Sequence, residues 1–175
     1  MHSPVNILIL CTANSARSIL GEALIAKHGN GRFASYSAGS HPRGIPNPDG
    51  LKLLAMKGHD VSAFRSKSWD EFAGPDAPQM DIVITVCDAA AGESCPLWPG
   101  APVKAHWGIP DPAGKGESEA ERLAAFEDAY RLLEARALAL AALPVEEMNT
   151  DDLKAALARI GTLEGATDLA IAGGA

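Results

Sequence analysis

The segment Val5 to Leu10 (VNILIL) is apolar at every position but Asn6 and rich in branched side chains. That composition suits a short parallel strand covered on both faces. A small polar loop follows. Ala16 to His28 then sets Ile19, Ala23 and Ala26 at helical spacing, with Glu22 facing away. Arg32 to Ser37 alternates weakly and reads as a second strand, ending in Ala38-Gly39 and the Pro/Gly-rich loop His41 to Gly50. Pro48 to Lys57 is an amphipathic helix with Leu51, Leu54 and Ala55 on one face and Gly58 as its stop.

Ser68 to Phe72 predicts a short helix before the turn-rich stretch Gly74 to Pro78. Asp81 to Val86 (DIVITV), flanked by breakers, is the strongest strand pattern after the first and ends at Cys87. Val103 to Trp107 is a shorter strand leading into the loop Gly108 to Gly116. An alanine- and leucine-rich helix runs from about Glu117 to Leu143 and stops at Pro144. Beyond it lie a helix near Thr150 to Ile160, with Thr150 or Asp151 as N-cap, and a Gly/Ala tail expected to be disordered. The apolar face Leu153, Leu157, Ile160 is left either to dock back on the domain or to meet a partner.

Strands alternating with helices indicate an α/β fold with a parallel sheet, whose ligands gather at the carboxyl ends of the strands. Cys11, Cys87 and Asp111 would then share one edge. Residues 1–143 are read as one domain, and residues 144–175 as a C-terminal extension with one short helix and a disordered tail.

The length of 175 residues, 47% hydrophobic and 21% charged, fits one globular domain with its own core. A formal net charge of −7 argues against nucleic acid or an anionic membrane as partner. An acidic chain that binds an anion must do so locally, through backbone amides, a helix terminus or a buried arginine. No stretch approaches the roughly 18 to 20 apolar residues of a membrane span, and the N-terminus lacks a secretory leader. A cytoplasmic monomer is expected. Three cysteines do not make a secreted disulfide framework, so free, reactive or buried thiols are the open options. No Cys/His cluster has zinc-site spacing.

The chemistry concentrates in Cys11-Thr12-Ala13-Asn14-Ser15-Ala16-Arg17-Ser18. A cysteine, five residues and an arginine between a buried strand and a helix start would wrap consecutive backbone N–H groups around a concave space suited to a tetrahedral oxyanion. Arg17 adds a planar fork for two oxygens. Cys11 at the base is expected to be drawn below the ordinary thiol range by the same positive potential. The Cys/Arg spacing alone suits equally a buried structural cysteine and a surface arginine; the strand context, Asn14 and Ser18 favour a site.

NILILCTANSARS, followed in order by SYSAGSHPRGIPNP, ITVCDAAAGESCPLWPG and HWGIPDPAG, resembles the arsenate reductases built on the low-molecular-weight protein tyrosine phosphatase fold. The resemblance covers about Val5 to Tyr130 and implies a three-layer αβα arrangement around a four-stranded parallel sheet. It implies Cys11 as nucleophile, Arg17 and the amides of Thr12, Ala13, Asn14, Ser15, Ala16 and Ser18 as oxyanion binders, and Ser18 as a hydrogen-bond partner of the thiolate. It further implies Asp111 as general acid and Asn14 as the residue shaping the loop. Ala16 departs from the thioredoxin-linked relatives, which often carry another cysteine there.

A phosphatase needs only water after the first attack, whereas a reductase needs two electrons, which paired thiols can supply. The resemblance implies a relay: Cys87 attacks the Cys11 sulfur, and Cys95 then attacks Cys87. An external reductant, thioredoxin-like or glutaredoxin/glutathione-like, would receive the disulfide, and no tightly bound cofactor is implied. Read from the residues alone, a buried strand-end thiol at Cys87 and a loop thiol without consequence at Cys95 are the less favoured alternatives.

Eight residues of helix would separate Cys87 and Cys95 by about 12 Å, against the roughly 4.4 to 6.8 Å a disulfide tolerates. The segment Asp88 to Ser94 must therefore be a loop or unwind. Ala113-Gly114 after Asp-Pro, where the phosphatases carry aromatic residues, favours a small inorganic substrate such as arsenate or phosphate. Asn14, Glu22 and Ser37 match positions that bind potassium in some relatives. His41, His106, Trp98 and Trp107 are expected to pack or cover loops. A tyrosine phosphatase and a noncatalytic oxyanion sensor are the competing readings; a sensor would need neither Cys11 nor Asp111.

Overall fold

In the computed structural model, which describes residues 3–93, 96 and 98–173, four parallel strands form one sheet. They are β1 (Val5–Cys11), β2 (Phe33–Gly39), β3 (Ile82–Thr85) and β4 (Val103–His106), in the order β2-β1-β3-β4. The helices are α1 (Arg17–Gly29), α2 (Pro48–Met56), α3 (Asp88–Ala91), α4 (Glu119–Ala141), α5 (Thr150–Ile160) and α6 (Asp168–Ile171), with a 3-10 turn at Trp69–Phe72. The register sets Cys11 beside Gly39 and Thr85 beside His106. The loops that leave β1, β3 and β4 therefore emerge at one edge, as expected for a parallel sheet.

Strand β1 is central, which explains why its apolar run is nearly continuous. Ile7, Ile9 and Cys11 point into a core shared with α1, α2, α4 and α5. Leu8 and Leu10 point into a smaller core with Ala38, Phe72, Met80, Val83 and Trp98. That second face is covered thinly, by the 3-10 turn and by loops.

Several inward faces differ from the sequence reading. In α1 the buried positions include Ile19, Leu20, Ala23, Leu24 and Ile25, while Ala26 is exposed. Glu22 does not face away: its carboxylate accepts from Ser37 Oγ at 2.5 Å. In α2, Leu53 and Leu54 are buried and Ala55 is exposed. Gly58 terminates that helix at φ +89, with its N–H on the Ala55 carbonyl. The N-cap of α5 is Asn149, whose Oδ1 accepts from Asp152 N at 2.8 Å, not Thr150 or Asp151. An amide side chain one residue earlier reaches the free N–H better than either candidate.

Residues 145–171 fold back on the sheet. Leu153, Leu157 and Ile160 are buried in the main core, and Trp107 Nε1 donates to the Leu157 carbonyl at 2.9 Å. Arg136, fully buried in α4, donates to the carbonyls of Leu163 and Glu164 at 3.0 and 3.1 Å. The stretch expected to be a disordered tail contains α6, capped by Thr167. Replacing Leu157, which has no exposure, by alanine should cost about 2–5 kcal/mol. Urea unfolding checks this; a midpoint equal to wild type would mean that α5 only rests on the core.

Among the described residues no helix is long and apolar enough to cross a membrane. A cavity of about 900 Å³ opens at the opposite edge of the sheet between Val5, Gln79, Pro102 and Val145. It contains neither Cys11 nor Cys87, so its size is no guide to where the chemistry lies.

Candidate functional site

Between β1 and α1 the chain turns through Asn14, which has φ 45 and no solvent exposure. Asparagine tolerates that left-handed conformation better than most residues, and here its side chain is fully used. Nδ2 donates to Ser18 Oγ at 2.8 Å and to Ser37 Oγ at 3.0 Å, and Oδ1 accepts from Lys67 N at 2.9 Å. The loop is thereby fastened to α1, to β2 and to the segment before the 3-10 turn. Ser18 is buried, and among the described residues its hydrogen-bond partner is Asn14 rather than the Cys11 thiol.

The loop carbonyls are held from outside. Thr12 O accepts from His41 N at 2.9 Å, Ala13 O from Arg43 N at 3.0 Å and Ser66 Oγ at 3.0 Å, and Ser15 O from Asn47 N at 2.8 Å. With the carbonyls fixed outward, the intervening N–H groups turn toward the concave side. Ala16, the N-cap of α1, makes no side-chain capping bond, and the first turn has no acidic residue. The positive end of a 13-residue helix is therefore left for an external anion.

Arg17 leans over this space. Nη1 donates to Ile109 O at 2.8 Å and Nη2 lies 3.7 Å from Asp111 Oδ2, while Nε is buried and has no partner among the described residues. A buried guanidinium N–H without an acceptor is costly, and a tetrahedral oxyanion in the loop would supply one. Asp111 is half exposed; its Oδ1 accepts from Ala113 N at 3.0 Å, which fixes the carboxylate at the rim beside Arg17.

The two described cysteines meet at the base. Cys11 and Cys87 are both free and buried. Cys87 is drawn down to about 5, first by Cys11 and then, against burial, by the N–H groups of Ala90 and Thr12. Cys11 is pushed up by Cys87 and by burial, with Arg17 and the Thr12 N–H pulling the other way. Two thiols that influence each other this strongly titrate as a pair; Cys87 caps α3, with Ala90 N 3.4 Å from its Sγ. Cys95 lies outside the described residues.

Three groups here had no sequence signal. Glu93 Oε1 accepts from Thr12 Oγ1 at 3.0 Å, and Oε2 accepts from Ser40 Oγ at 2.5 Å. Asp88, next to Cys87, accepts at Oδ1 from Thr167 Oγ1 at 2.7 Å and pairs with His106 Nε2 at 2.7 Å. Lys67, mostly buried, brings Nζ to 4.0 Å from Glu22. That ammonium already answers the Glu22 charge, and Asn14 turns its donor toward Ser37, so Asn14, Glu22 and Ser37 do not fit an alkali ion. His106 and Trp107 are buried, whereas His41 is exposed beside Glu93. Trp98 packs edge-on against Trp69, with ring centroids 6.4 Å apart.

Comparison with known proteins places this geometry. The family model described as low molecular weight phosphotyrosine protein phosphatase matches residues 6–154. An arsenate reductase of Bacillus licheniformis is 37% identical over 126 residues, which is 71% of this chain and 86% of that protein. The crystal structure of arsenate reductase from Archaeoglobus fulgidus superposes with a TM-score of 0.60 at 26% identity, covering 78% of this chain and 99% of the other. The tyrosine phosphatase Wzb from Escherichia coli K30 in complex with sulphate shares the fold, with a TM-score of 0.62 at 22% identity over 78% of this chain and 96% of that one.

Proposed function

Because the chain is an enzyme of the low molecular weight phosphotyrosine protein phosphatase family, we propose that it reduces arsenate to arsenite with Cys11 as nucleophile and Cys87 as the second thiol. The observation that supports this reading is a second free, buried thiol beside the oxyanion loop: Cys87 Sγ lies 3.7 Å from Oγ1 of Thr12, the residue after Cys11. Ester hydrolysis needs one thiol; reduction by two electrons needs a second within bonding reach.

Arsenate docks on the loop amides, the free end of α1 and the unpaired Nε of Arg17. Cys11 attacks arsenic and passes its proton to Cys87, while Asp111 protonates the departing oxygen, which leaves as water. A Cys11–S–As(V) bond results. Cys87, once deprotonated again, attacks the Cys11 sulfur. The S–S bond forms, the S–As electron pair stays on arsenic, and arsenite leaves as As(III) with the two thiols oxidised to a disulfide. Attack of Cys95 on Cys87 frees Cys11, and a thioredoxin-like or glutaredoxin-like reductant closes the cycle.

Between Cys87 and Cys95 the described chain includes α3, Asp88–Ala91, anchored by the pair of bonds from Thr167 and His106 to Asp88.

Cys87→Ser is expected to reduce thiol-dependent arsenite formation to background while leaving measurable aryl phosphate hydrolysis. Arsenite release in the presence of thioredoxin or glutaredoxin, run beside aryl phosphate turnover, is the check. Equal loss of both activities, or vigorous hydrolysis by the parent protein without thiol-dependent arsenite, would leave only the phosphatase.

A further inference from the structure

We propose that Thr12 and Glu93 conduct the Cys87 proton out of the site, which makes Glu93 a positioning residue for the second chemical step. The inference rests on the reading that Cys87 attacks the Cys11 sulfur.

The need for a route follows from the burial of both thiols. Cys11 must shed a proton to attack, Cys87 is the neighbouring thiol that would take it up, and Cys87 must be rid of it before its own attack. A protonated thiol is not a nucleophile. Cys87 is 3% exposed, and bulk water has little access to it. The proton must pass through protein groups before the disulfide can form.

Thr12 and Glu93 supply those groups. Thr12 Oγ1 lies 3.7 Å from Cys87 Sγ and 3.0 Å from Glu93 Oε1. A hydroxyl has one proton, and the nearer, charged acceptor takes it. The Thr12 lone pairs are then free to accept from the Cys87 thiol. The thiol proton moves to Thr12 Oγ1 as the Thr12 proton moves to Glu93, so Cys87 becomes a thiolate and the carboxylate a carboxylic acid. The other oxygen of Glu93 bonds Ser40 and lies 3.4 Å from Nδ1 of His41, whose side chain is 79% exposed. From there the proton reaches water. The remaining charged groups around the pair are Arg17, which acts on Cys11, and Asp88, which is occupied by His106 and Thr167.

The test uses the full chain carrying Cys95→Ser, so that Cys11 and Cys87 are the only cysteines of the original three. 5,5′-Dithiobis(2-nitrobenzoate) caps Cys11 and releases one coloured thiolate. Attack of Cys87 on the capped sulfur then releases a second as the Cys11–Cys87 disulfide forms. The first phase is assigned to Cys11 by its loss when Cys11→Ser is added.

At pH 7, Glu93→Gln and Thr12→Val should each slow the second phase by at least about tenfold, less than the roughly 10²–10⁴ of a direct general base because a hydroxyl intervenes. The gap should close as the pH passes the ordinary thiol range near about 8.5, and Glu93→Asp should recover part of the rate. Simple removal of the Glu93 charge would have the opposite sign, making Cys87 more acidic and the phase faster.

An unchanged or faster second phase, or one slowed by the same factor at every pH, would overturn the proposal. Absence of a second phase in the parent protein would sink the Cys87 attack itself. A Glu93-dependent second phase without arsenite formation from arsenate would support the proton route and remove arsenate as the substrate.

Discussion

Exchange of Cys11 for serine is expected to bring arsenite formation and aryl phosphate hydrolysis down together to background, a loss on the order of 10⁶-fold in kcat if Cys11 behaves as other enzyme nucleophiles do. Both reactions begin with a sulfur attacking a tetrahedral centre, and a serine hydroxyl in the same place is a far poorer nucleophile. Its proton could still bond Cys87, so the serine variant tests the nucleophile without emptying the base of the cradle. Alanine removes the donor as well.

In a Cys11→Ala, Cys95→Ser protein Cys87 is the sole cysteine, and the ultraviolet absorbance of its thiolate titrates it alone. Cys11 is the chief cause that draws Cys87 down to about 5, so its removal is expected to move the midpoint up toward the ordinary thiol range. Loss of one activity but not the other on Cys11→Ser would contradict a shared first step. A midpoint that stays near 5 would mean that Thr12 and Ala90 hold the Cys87 charge without Cys11.

The second large effect is expected where no side chain exists. A Cβ built on Gly39 would lie 2.4 Å from Thr12 O, 2.7 Å from Cys11 O and 3.0 Å from Asn14 N. All three are backbone atoms of the oxyanion loop, so no rotamer change relieves the clash. The strand cannot retreat either, because Gly39 is in register with Cys11 and its N–H is bonded to Lys67 O at 2.9 Å.

Gly39→Ala should therefore cost about 1–3 kcal/mol of stability through overpacking. It should also lower kcat/KM for aryl phosphate by roughly 10²-fold, the penalty of misplacing reacting groups by about 1 Å. Gly74→Ala is the control, since an added Cβ there meets nothing within 4 Å. Wild-type melting and turnover in the Gly39 variant would show that the loop has slack, and the fixed-cradle account would be abandoned.

The contrast between what the sequence revealed and what it hid follows chain separation. Cys11, Asn14 and Arg17 lie within seven consecutive residues between an apolar run and a helix, so the cradle was legible from local pattern. The shared edge for Cys87 and Asp111 followed from strand polarity alone. Glu93 reaches Thr12 across 81 positions and Thr167 reaches Asp88 across 79. No periodicity marks a lone glutamate in a small-residue loop or a threonine near the C-terminus.

The influence of Cys87 on Cys11 has the same origin. A helix terminus and an arginine favour a thiolate on Cys11, and the opposing effect comes from a second sulfur brought from another strand. The misjudged faces of α1 and α2 have a different cause: short apolar-rich helices permit more than one inward stripe. Packing on the sheet and α4 chose Leu24 in α1, and packing on α4 and α1 chose Leu53 in α2.

The unpaired Nε of Arg17 bears on discrimination among ligands. A donor that lacks an acceptor in the empty cradle welcomes any tetrahedral anion of suitable size, and phosphate and arsenate are alike in charge and shape. Occupancy would then follow abundance, with the commoner ion seated most of the time as a competitor. Under the proposed reduction, fidelity would reside downstream of docking: a thiol pair can strip oxygen from arsenic by taking it to a lower oxidation state, whereas phosphorus offers no such exit.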